Sequence, residues 1–235
     1  MDEASRRHYL QAMGVTVWQR RDVPVLSDVQ TVAHGLQEGD VPIGDASTRW
    51  QGLAEQVRTC TACPLHQGRT QTVLGVGNKQ AQWLIIGEAP GAEEDLQGEP
   101  FVGPAGKLLN EMLFAIGLKR EEVYIANIVK CRPPQNREPA AEEAAHCAAY
   151  LREQIDLIQP KVILCVGKVA ANNLLGNVAS LASYRGRTHR FSDTDIPVVV
   201  TYHPAYLLRY PLEKRRAWED LNYAVSVLQT RLASQ

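Results

Sequence analysis

Four stretches of the chain carry side chains whose chemistry fits together. Glu88 follows directly on the apolar run Trp83-Leu84-Ile85-Ile86-Gly87, where a carboxylate is held at the end of a buried strand. Its loop, Gly87 to Asp95, runs on to Pro100-Phe101-Val102-Gly103-Pro104-Ala105-Gly106. The glycines let backbone approach a ligand closely, and Phe101 among small residues offers an aromatic face to a flat ligand. The same composition also suits an ordinary strand-to-helix turn with Glu93 to Asp95 as a solvated acidic cap. Asn127 ends a second apolar run and can present one acceptor and two donors to a polar ring edge, or cap its own turn. His203 ends a third run and is followed by Pro204 and the pair Leu207-Leu208, which sits between polar residues like a wedge.

The cysteines form the fourth stretch. Cys60 and Cys63 are spaced Cys-x-x-Cys, and Cys131 and Cys147 lie further along the chain. Four thiolates from such segments complete a metal site. Sulfur suits zinc or an iron–sulfur cluster, and spacing does not separate them; a metal-free redox pair is the other reading. Cys165, inside Val162-Ile163-Leu164-Cys165-Val166, reads as a small core residue.

The elements that must position these residues are short apolar runs alternating with helical patterns. The runs Trp83 to Ile86, Val123 to Ile128, Val162 to Val166 and Val198 to Thr201 suit strands buried on both faces. Helical patterns cover Leu108 to Ile116, Ala140 to Ile158, Val169 to Leu175 and Glu213 to Leu232. The expected fold is α/β: three layers, with a mainly parallel four-stranded sheet flanked by helices. The loops that start at Gly87, Asn127, Gly167 and Tyr202 then face one crevice at the carboxyl ends of the strands. Residues 1–46 differ in composition and read as an appended segment and linker. The domain proper spans residues 47–235, with Ser47 as the N-cap of a helix carrying Trp50, Leu53, Ala54 and Val57.

Composition sets the class. Of 235 residues, 45% are hydrophobic and 22% charged, which excludes a disordered or disulfide-dense chain. No apolar stretch approaches the roughly 20 residues of a membrane helix, and no secretory signal follows Met1-Asp2-Glu3, so a cytoplasmic protein is expected. In that reducing compartment the five cysteines are free, catalytic or metal-bound. Net charge is -1, yet residues 119–235 hold 16 Lys and Arg against 12 Asp and Glu, a balance compatible with a polyanionic partner.

In combination these motifs resemble those of the family 4, iron–sulfur uracil-DNA glycosylases. The resemblance rests on GEAPGAEED at Gly87 to Asp95, GEPFVGPAGKLL at Gly98 to Leu109, NIVKCRPPQNREP at Asn127 to Pro139, Arg185-Gly186, TYHPAYLLR at Thr201 to Arg209 and the four cysteines. It covers roughly residues 50–230. It implies a parallel sheet between helices, a 4Fe-4S cluster on Cys60, Cys63, Cys131 and Cys147, and removal of uracil from DNA; the expected partner is single- or double-stranded uracil-containing DNA, and the expected state a monomer. Phe101 then resembles the residue that stacks on uracil, Asn127 the one that reads its polar edge, and His203 the histidine that contacts O2. Ala89 stands where many relatives in the wider superfamily carry an aspartate, so Glu88 becomes the candidate for orienting water, with Glu94 also facing the pocket. Lys130, Arg132, Arg137, Arg185 and Arg209 are expected phosphate contacts, and Leu207 or Leu208 the wedge that fills the gap left by the base.

Two other readings fall in different classes. A uracil-DNA-binding covalent trap resembles the family but carries a histidine in an extra basic loop near Lys130, and Cys131 to Pro139 holds none. An iron–sulfur electron carrier has no use for a base-sized crevice.

Overall fold

The computed structural model describes residues 43–234 except Asp193. The chain divides into two units, residues 1–40 and 41–235, and the described residues belong to the second. The appended segment expected over residues 1–46 lies, up to residue 42, outside the described residues. The first helix, α1 (Ile43–Thr59), begins before Ser47, which therefore lies within the helix and does not cap it.

A six-stranded sheet forms the middle layer in the order β1-β3-β2-β4-β6-β5. Its parallel centre is β3 (Tyr124–Asn127), β2 (Trp83–Gly87), β4 (Val162–Val166) and β6 (Pro197–Thr201). These are the four expected strands, and every one of their residues is buried. Two antiparallel edges were not expected: β1 (Val76–Gly77) on β3 and β5 (His189–Arg190) on β6. The sheet is thus mixed. A two-residue strand has no periodicity to read, which is why the sequence pattern stops at four.

The two-residue side-chain period of a strand sorts the core. Leu84, Ile86, Ala126, Ile163, Cys165, Val198 and Val200 pack on one side, with Trp50, Leu53 and Val57 of α1, Leu151 and Ile155 of α4 (Ala141–Ile158), and α5 (Lys168–Leu175). Trp83, Ile85, Ile125, Leu164, Val166 and Val199 pack on the other with α3 (Pro104–Ala115) and Leu221, Ala224 and Leu228 of α8 (Lys214–Ala233). The remaining helices are α2 (Ala92–Gln97), α6 (Leu181–Tyr184) and α7 (Pro204–Arg209). Among the described residues no helix is long and apolar enough to cross a membrane.

The connection from β2 leads to β3 on one side, and that from β4 leads to β6 on the other. Such a reversal opens a crevice beyond the strand ends, between the loops that follow Gly87 and Val166.

Candidate active site

The crevice is a cavity of about 840 Å³ lined by residues of all four expected loops, among them Glu88, Ala89, Glu94, Phe101, Asn127 and His203. This is the size range of small-ligand sites.

Phe101 is buried and has φ +54°, a left-handed backbone that costs a non-glycine residue on the order of 1–3 kcal/mol. The surroundings hold it there. Arg120 donates to the carbonyls of Pro100 and Phe101 and to Asn110 Oδ1. On the other side, Glu94 accepts from Gly91 N at 3.0 Å with one oxygen, and from Val102 N and Gly103 N at 2.9 and 3.1 Å with the other. Glu94 therefore lines the cavity as a clamp, with both oxygens engaged by backbone amides. The expectation of a second water-orienting carboxylate gives way to this positioning role. Nothing in the local sequence around Arg120 marks it, because its partners lie 10 to 20 residues away.

Two glycines make the arrangement possible. A Cβ on Gly106 would lie 1.7 Å from Phe101 O, and one on Gly87 would meet Asn127 Oδ1 at 2.5 Å and Phe101 Cζ at 2.6 Å. Gly106→Ala is therefore expected to push the Phe101 loop off its clamps, at about 1–3 kcal/mol of stability for an overpacked site. A melting temperature equal to wild type would contradict this.

Asn127 pairs in register with Gly87 at the ends of β3 and β2. It is 1% exposed, and its Oδ1 has no hydrogen-bond partner among the described residues. Buried acceptors are nearly always satisfied, so an unpaired one bordering a cavity points to a ligand donor. His203 caps α7 with Nδ1 accepting from Ala205 N at 3.1 Å. That bond leaves the ring proton on Nε2. Burial, with Arg209 adding to it, holds the imidazole down to about 4, so it is neutral at pH 7. Its ring lies 5.7 Å from that of Phe101. Glu88 is half-buried, and its carboxyl is pushed up to about 7 by burial first and by Glu138 second.

Of the residues expected to face DNA, Lys130 and Leu207 are in the interior and Arg185 is largely covered. Lys130 is 1% exposed and donates to Asn127 O at 2.9 Å and Gln154 Oε1 at 2.6 Å; burial holds its amine down to about 7. Gln154, reached only through folding, gives it a place inside. Arg185 pairs with buried Asp220 at 2.7 Å and ties α6 to α8. Leu207 is 1% exposed and packs in the core, whereas Leu208 is 44% exposed, as successive positions of a helix require. Arg137 and Arg209 line the cavity and are exposed, Arg137 also bonding Glu143. Arg132 is half-buried and donates to Asn136.

Cys60, Cys63, Cys131 and Cys147 line a single separate cavity with His66, Arg69, His146 and Tyr150. Burial raises the Cys131 thiol, and raises that of Cys147 to about 11. Arg69 donates to Cys131 Sγ at 3.1 Å. Among the described residues no group of three or more His, Cys, Asp or Glu is arranged to hold a metal ion. The convergence of four sulfurs on one small space is nonetheless the donor chemistry of an iron–sulfur cluster, and in that sense the residues fit one.

Comparison with known proteins bears on the same residues. Residues 74–222 match the family model described as the uracil DNA glycosylase superfamily. The chain is 44% identical over 165 residues to a type-4 uracil-DNA glycosylase of Archaeoglobus fulgidus, covering 68% of this chain and 83% of that protein. It is 44% identical over 180 residues to the type-4 enzyme of Thermotoga maritima, covering 75% and 93%. A type-5 uracil-DNA glycosylase of Pyrobaculum aerophilum is 29% identical over 146 residues, 56% of this chain and 64% of that protein. A crevice that joins Glu88, Phe101, Asn127 and His203, in a chain this similar to those relatives along most of its described length, belongs to a type-4 uracil-DNA glycosylase of the uracil-DNA glycosylase superfamily.

Proposed function

We propose that this chain is a base-excision repair enzyme that extrudes uracil from DNA and hydrolyses its N-glycosidic bond, leaving an abasic site. The observation that carries the reading is the unpaired Asn127 Oδ1 buried beside Phe101 and His203.

An enzyme that acts on a base inside DNA must first flip it out, at a cost of a few kcal/mol. Leu208, exposed on α7, is the wedge that fills the gap. Arg132, Arg137 and Arg209 are the phosphate contacts, which fix register and read no sequence. Phe101 then stacks on the base, an interaction worth roughly 1–3 kcal/mol. Asn127 makes the choice of base. Its Oδ1 accepts from N3-H and its amide donates to O4, the pattern cytosine reverses, while the Ala89 loop walls the pocket. Asn127→Asp removes the donor and leaves only acceptors, at about 1–3 kcal/mol for the mispaired group. Excision of uracil should fall by one to two orders of magnitude, and cytosine, whose N4-H2 then meets an acceptor, should become a weak substrate; an unaltered preference would contradict edge reading.

Breaking the bond moves negative charge onto the ring and positive charge onto the sugar. The neutral His203 donates from Nε2 to the anion developing at O2, and the Glu88 carboxylate stabilises the sugar cation and orients water. Each chain holds a whole crevice, so the reaction needs no second copy.

Cys60, Cys63, Cys131 and Cys147 are the ligands of a 4Fe-4S cluster. When bound, the cluster supplies a rigid link among the end of α1, the Cys131 loop and α4. Reduced thiols for it suit the cytoplasm. Cys60→Ala is expected to lose iron and thermal stability together, and full iron content would remove Cys60 from the ligand set.

The test is turnover. Purified enzyme is incubated with an oligonucleotide carrying one uracil, and strand breaks are counted after alkali. Breaks in excess of enzyme support the proposal. A stoichiometric protein–DNA band would make the chain a covalent trap, and the absence of both breaks and band would overturn the reading.

A further inference from the structure

We propose that the row of Tyr202, Tyr206 and Tyr210 at α7 forms a second DNA subsite, a stacking platform for a nucleotide that flanks the extruded uridine. The inference rests on the uracil-excision reading and extends it outward along the strand.

Tyr206 lies on α7, Tyr202 just before its cap His203 and Tyr210 at its C-terminal cap, and the three rings fall in one row. The Tyr202 and Tyr206 rings are stacked, with centroids 5.4 Å apart and planes inclined by 14°. Tyr206 and Tyr210 lie 4.6 Å apart at 33°. The row starts inside the crevice, whose lining includes Tyr202 and Tyr206 beside His203. At this inner end the Arg185 guanidinium already lies over Tyr202, 4.5 Å from its centroid. At the outer end Tyr210 is 54% exposed. The stack is thus closed within and open without.

What surrounds the open end decides the occupant. Leu208 and Leu212 are exposed, and Arg209 and Lys214 are exposed cations that form no ion pair among the described residues. From Leu208 to Arg216 there are four basic residues and one acidic one. An apolar patch alone marks a protein contact. Aromatic and apolar faces interleaved with cations, continuous with a crevice that receives a base, match a single strand, whose bases stack while its phosphates meet positive charge. Neither Tyr206 nor Tyr210 is required for the glycosidic chemistry. Their alignment with the crevice makes them contacts of the adjoining nucleotide.

The experiment compares KM for two single-stranded oligonucleotides with one uracil. In one the neighbours are thymidines; in the other both neighbours are tetrahydrofuran abasic residues. For wild type, KM is expected to rise about tenfold without flanking bases, toward the lower end of the range that one stacked base contributes. Tyr210→Ala should raise KM by a similar factor on the intact oligonucleotide and add nothing on the abasic-flanked one, and Tyr210→Phe should restore wild-type behaviour. Unfolding is excluded by an unchanged circular dichroism spectrum and by the shared abasic-flanked KM. Equal rises on both substrates, or no rise on either, would overturn the subsite, and the second result would leave the patch to a protein partner. Wild-type enzyme that excises uracil from neither oligonucleotide would overturn the excision reading itself, and this inference with it.

Discussion

Replacing His203 with alanine is expected to slow uracil excision by about 10²–10³, the usual cost of removing one donor aimed at a developing oxyanion. The geometry makes the donor unambiguous. Nδ1 is occupied by Ala205 N, so only Nε2 can carry the proton, and a ring held down to about 4 does not charge at neutral pH. The same side chain caps α7, so alanine should also cost about 1 kcal/mol of stability. His203→Asn separates the two effects, since asparagine is a good N-cap but lacks the reach of Nε2. Its melting temperature should stay near wild type while its single-turnover rate stays low. A rate restored with the cap would make His203 a purely structural residue. The native pKa lies below the ordinary 6.5, so the unfolded chain takes up the proton first. Native stability from this group is complete above pH 6.5 and falls as pH drops toward 4.

The second large effect concerns Glu88, whose carboxyl is raised to about 7 by burial and by Glu138. If its carboxylate form acts on the sugar cation, the wild-type single-turnover rate climbs with pH through about 7 and then levels. Glu88→Gln should flatten that profile and lower the plateau by about 10², the lower end of what a positioned acid or base contributes. Stability moves the other way. Below pH 4.5 both folded and unfolded forms are protonated. Between 4.5 and 7 the unfolded chain ionises while the native group keeps its proton, so each rise in pH disfavours the native state, and above 7 the penalty is complete. Glu88→Gln should therefore melt at higher temperature than wild type above pH 7 and alike below 4.5. A variant that loses both rate and stability at high pH would show that Glu88 is a partner the fold depends on.

Much of this site is legible in the sequence because strands buried on both faces are written as continuous apolar runs. Once four such runs alternate with helices, topology alone brings Glu88, Asn127 and His203 to one edge. What sequence misreads are polar and apolar residues whose burial depends on distant partners. Lys130 and Arg185 have the composition of surface cations, yet Gln154 and Asp220, 24 and 35 residues later, hold the first inside and the second against α8. Leu207 and Leu208 are adjacent and chemically equal, and only the rotation of one helical residue sends one to the core and the other to solvent. Glu94 has the composition of a solvated acid, and two of its three amide partners, Val102 N and Gly103 N, exist only because the Phe101 loop folds back over it.

The sheet ends on each side in a two-residue antiparallel strand, one containing Gly77 and the other Arg190, whose side chain is 76% exposed. Unpaired strand edges are templates on which other chains polymerise, and short, charged or glycine-bearing edges blunt them. The four long β-rich segments, which would be hazardous if open, are sealed in the middle. Fibril growth by strand addition to the folded protein is disfavoured, and precipitation on heating should follow the unfolding transition instead of preceding it.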